Sequence, residues 1–436
     1  MKVKNLHHKK NKIFCIGLGK LGLIFSQILA DHNNIVYGYD INNKIKLKIK
    51  RNEKDSEPNL NKLIKNNKKK FIFTNNFKQA INDTQATFIL VPTPSKKNHE
   101  FDNSFIISSL KNIGKHLKNK KNYLINITST VNPGSCEYFI KFLEKNFKLK
   151  HGKEFILTYN PHLIALGSIY NNVLFSDLVI CGSDLIEGHK KLKNIYSNIY
   201  KKNINKLKFL NLKEAEIAKI AINTYVTLKI SYTNCLSQIA DKEPNVDVSK
   251  ILNTIGHDKR IGHKYLSLGA LYAGPCFPRD NRNFAKYLEK VKVPNHIPIT
   301  TDKINNIQLD RYIGVYNKIK KNFKGKITIG ICGLSYKINT PIVIGSPGEK
   351  LLNYFSKKNK VIVYDEQYPE IINKISFYKN IKKFFETADV IFVCYYNDKF
   401  KKIEKLTSNK KKIIIDLWNY INVKNKNVVL KKIGIN

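Results

Sequence analysis

One thiol, one amine and one amide stand in settings that could do covalent chemistry. The stretch Ala273-Gly274-Pro275-Cys276-Phe277-Pro278-Arg279-Asp280 places Cys276 in a tight turn, just ahead of a helical run to about Glu289. Pro278 suits the first turn of a helix, where a missing N–H costs no hydrogen bond. A helix N-terminus with Arg279 and Arg282 nearby favours a thiolate, and a thiolate attacks carbonyl carbon. The residue reads equally as a packed structural cysteine. Lys219 and Asn223 lie four apart in a run from Lys213 to Asp241 that contains neither Gly nor Pro. That spacing puts them one above the other on a helical face. Either the face is solvated, or the pair is a polar site inside a mostly apolar helix; Ala218, Ile220, Ala221 and Ile222 around it argue for burial.

The elements that must position these groups begin at the N-terminus. Lys12–Ile16 reads as a buried strand running into Gly17-Leu18-Gly19-Lys20-Leu21-Gly22, then an apolar helix to about Asp31, then a strand Ile35–Tyr39 ending at Asp40. Gly17 makes the tight turn, Gly19 lets backbone approach a pyrophosphate, and Gly22 allows close helix packing. Asp40 would accept from ribose hydroxyls and disfavour a 2′-phosphate, so NAD is expected over NADP. Further strands are expected at Phe71–Thr74, Ala86–Val91, Tyr123–Thr128, Phe155–Thr158 and Leu178–Ile180. Their polar ends, at Pro92-Thr93-Pro94, Ser129-Thr130-Val131-Asn132-Pro133-Gly134 and Tyr159-Asn160-Pro161-His162, could be ordinary loops; their recurrence favours a ligand edge of a doubly wound sheet. The Lys213–Asp241 helix is apolar on more than one face, as at a domain junction or subunit interface. After an irregular Pro294–Pro298 comes a helix around Thr301–Lys321, then a composition shift at Lys321–Lys326 that reads as a linker. A second α/β region follows: strand Ile327–Ile331, helix Ser346–Lys357, strand Val361–Tyr364 ending at Asp365, and strands Ala388–Tyr395 and Lys412–Asp416. It lacks GxGxxG, so pattern alone leaves it either binding a nucleotide differently or covering the cleft.

Composition narrows the class. At 436 residues the chain has room for two or three domains, and 42% apolar content excludes wholesale disorder. No run long enough to span a membrane occurs. Met1–Lys12 is basic and polar, unlike a secretory signal. Seven cysteines without CxxC or regular spacing argue against zinc clusters and a disulfide framework, and fit a reducing, cytoplasmic setting. The formal charge of +44 could attract polyanions. The lysines are spread along the chain beside abundant Asn and Ile, so compositional drift is the preferred reading, and no nucleic-acid-binding motif accompanies the charge.

Six blocks in order now resemble the nucleotide-sugar 6-dehydrogenases, the UDP-glucose 6-dehydrogenase group: Gly17 to Gly22, Val91 to Pro94, Ser129 to Gly134, Asn160-Pro161, the Lys219…Asn223 helix, and Gly274 to Asp280. A seventh, Gly333-Leu334-Ser335-Tyr336-Lys337 with Thr340, matches the start of that family's last domain. The resemblance covers essentially the whole chain. It implies an α/β fold with an N-terminal Rossmann dinucleotide-binding domain (residues 1–205), a central helical dimerisation domain carrying one long helix and the thiol loop (206–320), and a C-terminal Rossmann-like UDP-sugar-binding domain (321–436). It implies NAD as cofactor, a nucleotide sugar as substrate, and a homodimer or larger homo-oligomer, with no membrane or nucleic-acid partner and no metal. The implied reaction oxidises a sugar C6 alcohol to the carboxylate, UDP-glucose to UDP-glucuronate first of all. The same chemistry on a UDP-N-acetylhexosamine or GDP-mannose is the nearest alternative, and a catalytically impaired binding homologue stands behind it.

The resemblance also implies roles. Cys276 is the nucleophile, Lys219 and Asn223 stabilise oxyanions at C6, Asp280 works with Lys219 on the water or hydroxyl, and Thr130 holds the attacking water. Cofactor contacts fall to Gly17, Gly19, Leu21, Gly22, Asp40, Pro92, Thr93, Ser129, Thr130 and Arg279. Contacts to the sugar nucleotide fall to Leu163, Lys219, Asn223, Tyr265, Gly274, Lys337, and Arg260 reaching in from a neighbouring subunit. Three positions depart from the family pattern. His162 stands where the family has the glutamate associated with thioester hydrolysis. The histidine substitutes as base, or slows hydrolysis so that the thioester lingers, or marks lost activity; a positive charge there is a further concern. Leu166 stands where many members carry a glutamate near the cofactor, and Ile344-Gly345-Ser346 where an arginine near a serine is common.

Overall fold

The computed structural model describes residues 10–321, 323, 325–367 and 376–435. The basic N-terminus before residue 10 lies outside them, as do parts of the expected linker. The chain forms two compact units, one up to Ala221 and one from Ile222.

The first unit is built on short apolar runs that become buried strands: β1 (Lys12–Ile16), β2 (Ile35–Tyr39), β3 (Phe71–Phe73), β4 (Ala86–Ile89), β5 (Tyr123–Ile127), β6 (Phe155–Tyr159), β7 (Val179–Gly182) and β8 (Leu207–Leu210). They form one sheet in the order β3-β2-β1-β4-β5-β6-β7-β8, parallel throughout except where β6 meets β7. The reversal from β3-β2-β1 to β4-β5 is the switch point at which a doubly wound sheet opens a crevice beyond its strand ends. Strands β4, β5 and β6 are wholly buried. This is why they read as continuous apolar runs and not as alternating ones. The helix Lys20–Asp31 buries Leu23, Ile24, Phe25, Ile28 and Leu29 in the main core of this unit.

The second unit contains most of the helix Leu212–Ile239, the helices Val248–Gly256, Phe277–Lys290 and His296–Lys320, and a second parallel sheet. Its strands are β9 (Thr328–Cys332), β10 (Lys360–Tyr364), β11 (Ser376–Phe377), β12 (Val390–Val393), β13 (Lys412–Asp416) and β14 (Val428–Lys432), in the order β11-β10-β9-β12-β13-β14. Alternate residues serve two cores: Ile329, Ile331, Val390 and Phe392 on one face, Cys332, Ile391, Val393 and Ile414 on the other.

Both sheets share one fastening at the first strand–helix turn. In the first, Gly17 has φ +91°, a Cβ on Gly22 would lie 1.8 Å from the Gly17 carbonyl oxygen, and Asp40 accepts the Leu18 N–H at 2.6 Å. In the second, Gly333 has φ +99°, a Cβ on Gly348 would lie 2.3 Å from the Gly333 carbonyl oxygen, and Asp365 accepts the Leu334 N–H at 2.6 Å. Only glycine permits either crossing. One expectation is corrected. Pro294–Pro298 is not irregular throughout, because the following helix begins at His296 and contains Pro298. Pro298 is its third residue, where the amide has no intrahelical acceptor, so the ring breaks no hydrogen bond.

Candidate active site

At the sheet edge of the first unit, the helix Lys20–Asp31 starts at Gly19 with no side-chain cap and no acid in its first turn. A Cβ on Gly19 would meet nothing within 4 Å, whereas one on Gly17 would lie 2.7 Å from the Leu90 carbonyl oxygen. Gly17 and Gly22 are therefore glycines because this chain crowds them, and Gly19 is not. Open space above Gly19 at an uncapped helix N-terminus fits a pyrophosphate. Asp40 has one oxygen on the Leu18 N–H and the other on the Asn42 N–H at 2.8 Å, which aims the carboxylate beside the turn and leaves each oxygen a second lone pair.

The loops beyond β4 and β5 are tied to each other. The Ser129 hydroxyl donates to the Val91 carbonyl at 2.6 Å, and Thr93 donates to the Thr130 carbonyl at 2.7 Å. Asn132 exchanges hydrogen bonds with the Phe101 backbone at 3.0 and 3.1 Å. Pro92 is exposed and the Thr130 side chain half-buried.

Beyond β6, Asn160 fixes the turn that carries His162. Its amide donates to the Ile180 carbonyl at 2.5 Å and its oxygen accepts from the buried Tyr196 hydroxyl. The His162 ring lies 4.4 Å from the Phe25 ring, and its Nε2 is 3.4 Å from the Tyr196 oxygen. Shielding of the ring, and then the positive charge of Lys219, push the His162 pKa down to about 4. His162 is therefore neutral at physiological pH, which removes the concern about a cation in the glutamate's place. The linked effect on stability has a definite sign. The unfolded chain takes up this proton near pH 6.5 and the folded chain only near 4, so stability falls as pH drops through that window, by about 3 kcal/mol from this residue. The His162 ring signals in an NMR pH titration should stay those of neutral imidazole down to about pH 5. A midpoint above 6 would contradict the shielding. Leu163 is half-buried, and Leu166 packs against the core of the unit, so its change from a charged residue is accommodated by burial.

Lys219 is buried, at 6% exposure, so it does not lie on a solvated face. One turn earlier Glu216 is 1% exposed and accepts the Gly134 and Cys136 N–H groups at 2.5 and 2.7 Å. Burial raises its pKa against those two backbone bonds.

In the second unit, Asn223 of the same helix donates to Asp280 at 2.6 Å. Asp280 is fully buried, and its other oxygen takes a two-pronged contact from Arg279 at 2.9 Å. Cys276 is the N-cap of the helix Phe277–Lys290, and its carbonyl accepts the Asp280 N–H at 2.8 Å. Cys276 and Cys235 are exposed while the other five cysteines are buried, so Cys276 is not a packed structural cysteine. Gly274 has φ +83°, and a Cβ there would meet the Tyr336 ring at 2.8 Å; its N–H donates to the Ile344 carbonyl at 2.9 Å. Lys337 lies over the same ring, 5.8 Å from its centre. The turn at Gly345-Ser346 caps the next helix, with Ser346 accepting the Glu349 N–H and Glu349 the Gly345 N–H. Tyr265, at φ +61°, sets its ring edge-on to Phe277, 6.3 Å away. Arg260 stands apart, exposed and paired with Asp258.

Each unit thus gathers a set. Gly17, Gly19, Gly22 and Asp40 frame one turn in the first, with Thr93, Ser129, Thr130, His162 and Lys219 beyond the next strands. Asn223, Gly274, Cys276, Arg279, Asp280 and Lys337 cluster in the second. Sequence reasoning missed Glu216, Tyr196 and the role of Tyr336 under Gly274. Glu216 had a legible signal, since Glu216, Lys219, Asn223 and Thr227 recur at helical spacing along one stripe. Among the described residues no group of His, Cys, Asp and Glu could hold a metal ion, and no helix is long and apolar enough to cross a membrane.

Three models of the UDP-glucose/GDP-mannose dehydrogenase family match the chain: the NAD binding domain over residues 11–200, the central domain over 213–307 and the UDP binding domain over 330–423. The UDP-glucose 6-dehydrogenase of Rickettsia typhi is 28% identical over 437 residues, covering 96% of each chain. The UDP-glucose 6-dehydrogenase TuaD of Bacillus subtilis is 26% identical, covering 93% of this chain and 88% of its own. A UDP-glucose dehydrogenase structure from Pyrobaculum islandicum matches with a TM-score of 0.88 at 21% identity over 99% of each chain. A UDP-D-ManNAc dehydrogenase structure from Pyrococcus horikoshii matches with 0.84 at 23% identity, over 97% of this chain and 99% of that one. These two structures establish likeness of fold. The open turn above Gly19 fits the cofactor that the first matched domain binds, so NAD is the cofactor. With its three domains matched in order, the chain belongs to the UDP-glucose/GDP-mannose dehydrogenase family.

Proposed function

We propose that this protein oxidises the C6 alcohol of UDP-glucose to the carboxylate through a covalent adduct on Cys276. The observation that carries the reading is an exposed thiol at a helix N-terminus, beside the buried Asn223–Asp280–Arg279 cluster. UDP-glucose is preferred because relatives that align over most of their length carry its name. NAD, when bound, accepts a hydride in each of two oxidations. The chain's own groups do the rest. Lys219 and Asn223 hold the C6 oxygen as it gains negative charge. Cys276 adds to the aldehyde carbon to form a thiohemiacetal, whose oxidation leaves a thioester. Water placed by Thr130 and relieved of a proton by His162 then attacks that carbon, releasing the uronate and returning the thiol. Arg279, held on Asp280, is the arginine we assign to NAD. Lys337, over the Tyr336 ring, is the group we assign to the nucleotide's diphosphate.

A base with a pKa near 4 draws protons from water less well than one near 7. Hydrolysis is therefore the slow step. Purified protein with excess NAD and UDP-glucose should show a fast burst of two NADH per site and then slower turnover, with an acyl adduct on Cys276 seen by mass spectrometry. Absence of NADH with UDP-glucose and with the other nucleotide sugars would overturn the reading. His162→Glu restores the residue that the family pattern has at this position, and should leave the steady rate equal or higher with the burst unchanged. A collapse of the steady rate would show that the site is built around histidine.

We infer the division into residues 1–205, 206–320 and 321–436 for cofactor, dimerisation and sugar nucleotide, a reading supported by the matched domains. A homodimer is supported by exposed Tyr225, Tyr232, Cys235 and Ile239 along one stripe of the long helix. Arg260, exposed and paired with its neighbour Asp258, is the group we assign to the other subunit's substrate. The seven free cysteines support a cytoplasmic location.

A further inference from the structure

The segment Ser129–Cys136 leaves β5, carries Thr130 and enters the helix Ser135–Phe147. It is held in front by Ser129 on the Val91 carbonyl and by Thr93 on the Thr130 carbonyl, and in the middle by Asn132 on Phe101. At its rear Ser135 is held by its N–H on the Asn132 carbonyl and by its hydroxyl, which accepts the Asn103 amide, both at 3.0 Å, while the Gly134 and Cys136 N–H groups on either side are held from elsewhere. The helix N-cap is Gly134, at φ +90°, with no side chain to accept the N–H groups of the first turn. The acceptor comes from 80 residues away. Glu216 spans the Gly134 and Cys136 N–H groups, one on each carboxylate oxygen. It is 1% exposed, and its bonds to the two N–H groups are 2.5 and 2.7 Å long. A buried carboxylate on backbone N–H groups is a strong, directional contact. Its helix is also the one that carries Lys219 one turn later.

We propose that Glu216 is a positioning residue for Thr130, fixing the rear of its loop so that the threonine hydroxyl places the hydrolytic water. The inference rests on the reading of Thr130 given above. It assigns no proton transfer to Glu216, whose oxygens are both engaged with backbone. Its loss therefore acts on thioester hydrolysis and not on the steps that precede it.

The test is first-turnover and steady-state kinetics with UDP-glucose and NAD on the full-length enzyme, for Glu216→Gln, Thr130→Ala and the double variant. A glutamine keeps the shape but turns an N–H₂ toward one of the two N–H groups. E216Q should keep the two-NADH burst and the KM within about twofold, while the steady rate falls roughly 10- to 100-fold. The acyl adduct on Cys276 should accumulate in proportion. The double variant should be no slower than T130A alone, since both changes remove one function. Hydrogen exchange at the peptide containing Gly134 and Cys136 should quicken in E216Q and not in T130A. A slowed T130A with E216Q at the wild-type rate, or with losses that multiply in the double variant, overturns the proposal alone. T130A at the wild-type rate overturns the reading of Thr130 and this proposal with it. If E216Q does not fold, Glu216→Asp keeps the charge but withdraws it by one methylene, and should show the same preserved burst and slowed release; a wild-type rate there overturns the proposal equally.

Discussion

Cys276→Ser should lower steady uronate formation at least about 1000-fold. A serine hydroxyl needs a base to become a nucleophile far more than a thiol does, because a thiol is much the stronger acid. The carboxylate one turn further along the helix does not supply that base. Asp280 is fully buried, and its oxygens already take the Asn223 amide and the Arg279 guanidinium. The fold should survive the change, because the residue is exposed and its backbone carbonyl, not its sulfur, caps the helix. Alkylation gives a second readout. Cys276 should react quickly in the native protein, Cys235 only if the proposed dimer stripe is open, and the five buried thiols should not. The fast reaction of Cys276 should be gone in C276S, and near-normal uronate production by that variant would remove Cys276 from the chemistry.

Lys219→Met should cost roughly 100- to 1000-fold in kcat, the range for losing a donor to a developing oxyanion. Methionine keeps most of the stem that fills the buried position and deletes the charge. The ammonium acts from a water-poor setting, where a charge is worth more than at the surface. A linked change can be read without any substrate. The charge of Lys219 is the second cause of the low His162 pKa, after shielding of the ring. In K219M the His162 titration should therefore move upward while staying below the ordinary value. An unchanged kcat would overturn the oxyanion role, and an unmoved His162 would separate the two side chains.

The parts of the fold legible in the sequence were those set by local pattern. The GxGxxG turn, the strands around it and the 28-residue helix Leu212–Ile239 each follow from a few adjacent residues. The Cys276 turn was legible for the same reason, since proline, acid and thiol are consecutive. Pro298 misled because proline breaks helices except in their first turn. The unit boundary at Ala221 leaves no mark, because the helix pattern runs through it unbroken. Glu216, Tyr196 and Tyr336 work through contacts between segments far apart in the chain, and nothing beside them announces a partner. His162 shows the limit most clearly. Its identity was plain, but its neutrality comes from Phe25, Tyr196 and Lys219, which only the fold assembles.

The paired fastening of the two sheets bears on what a binding loop owes to its fold. Gly17 and Gly22 are five residues apart, while Gly333 and Gly348 close the same crossing with fifteen. Tripling a loop costs only about 1 kcal/mol in closure entropy, so folding tolerates either length. The brevity of the first loop is then not a requirement of the architecture. It suits the ligand, because the short turn enters its helix with no side-chain cap, whereas the longer loop enters its helix through the Ser346 cap. The longer version has spent that freedom elsewhere, laying Tyr336 under Gly274 and the Ile344 carbonyl on its N–H. One scaffold thus serves as a cradle at one end of the chain and as a brace for the nucleophile's turn at the other.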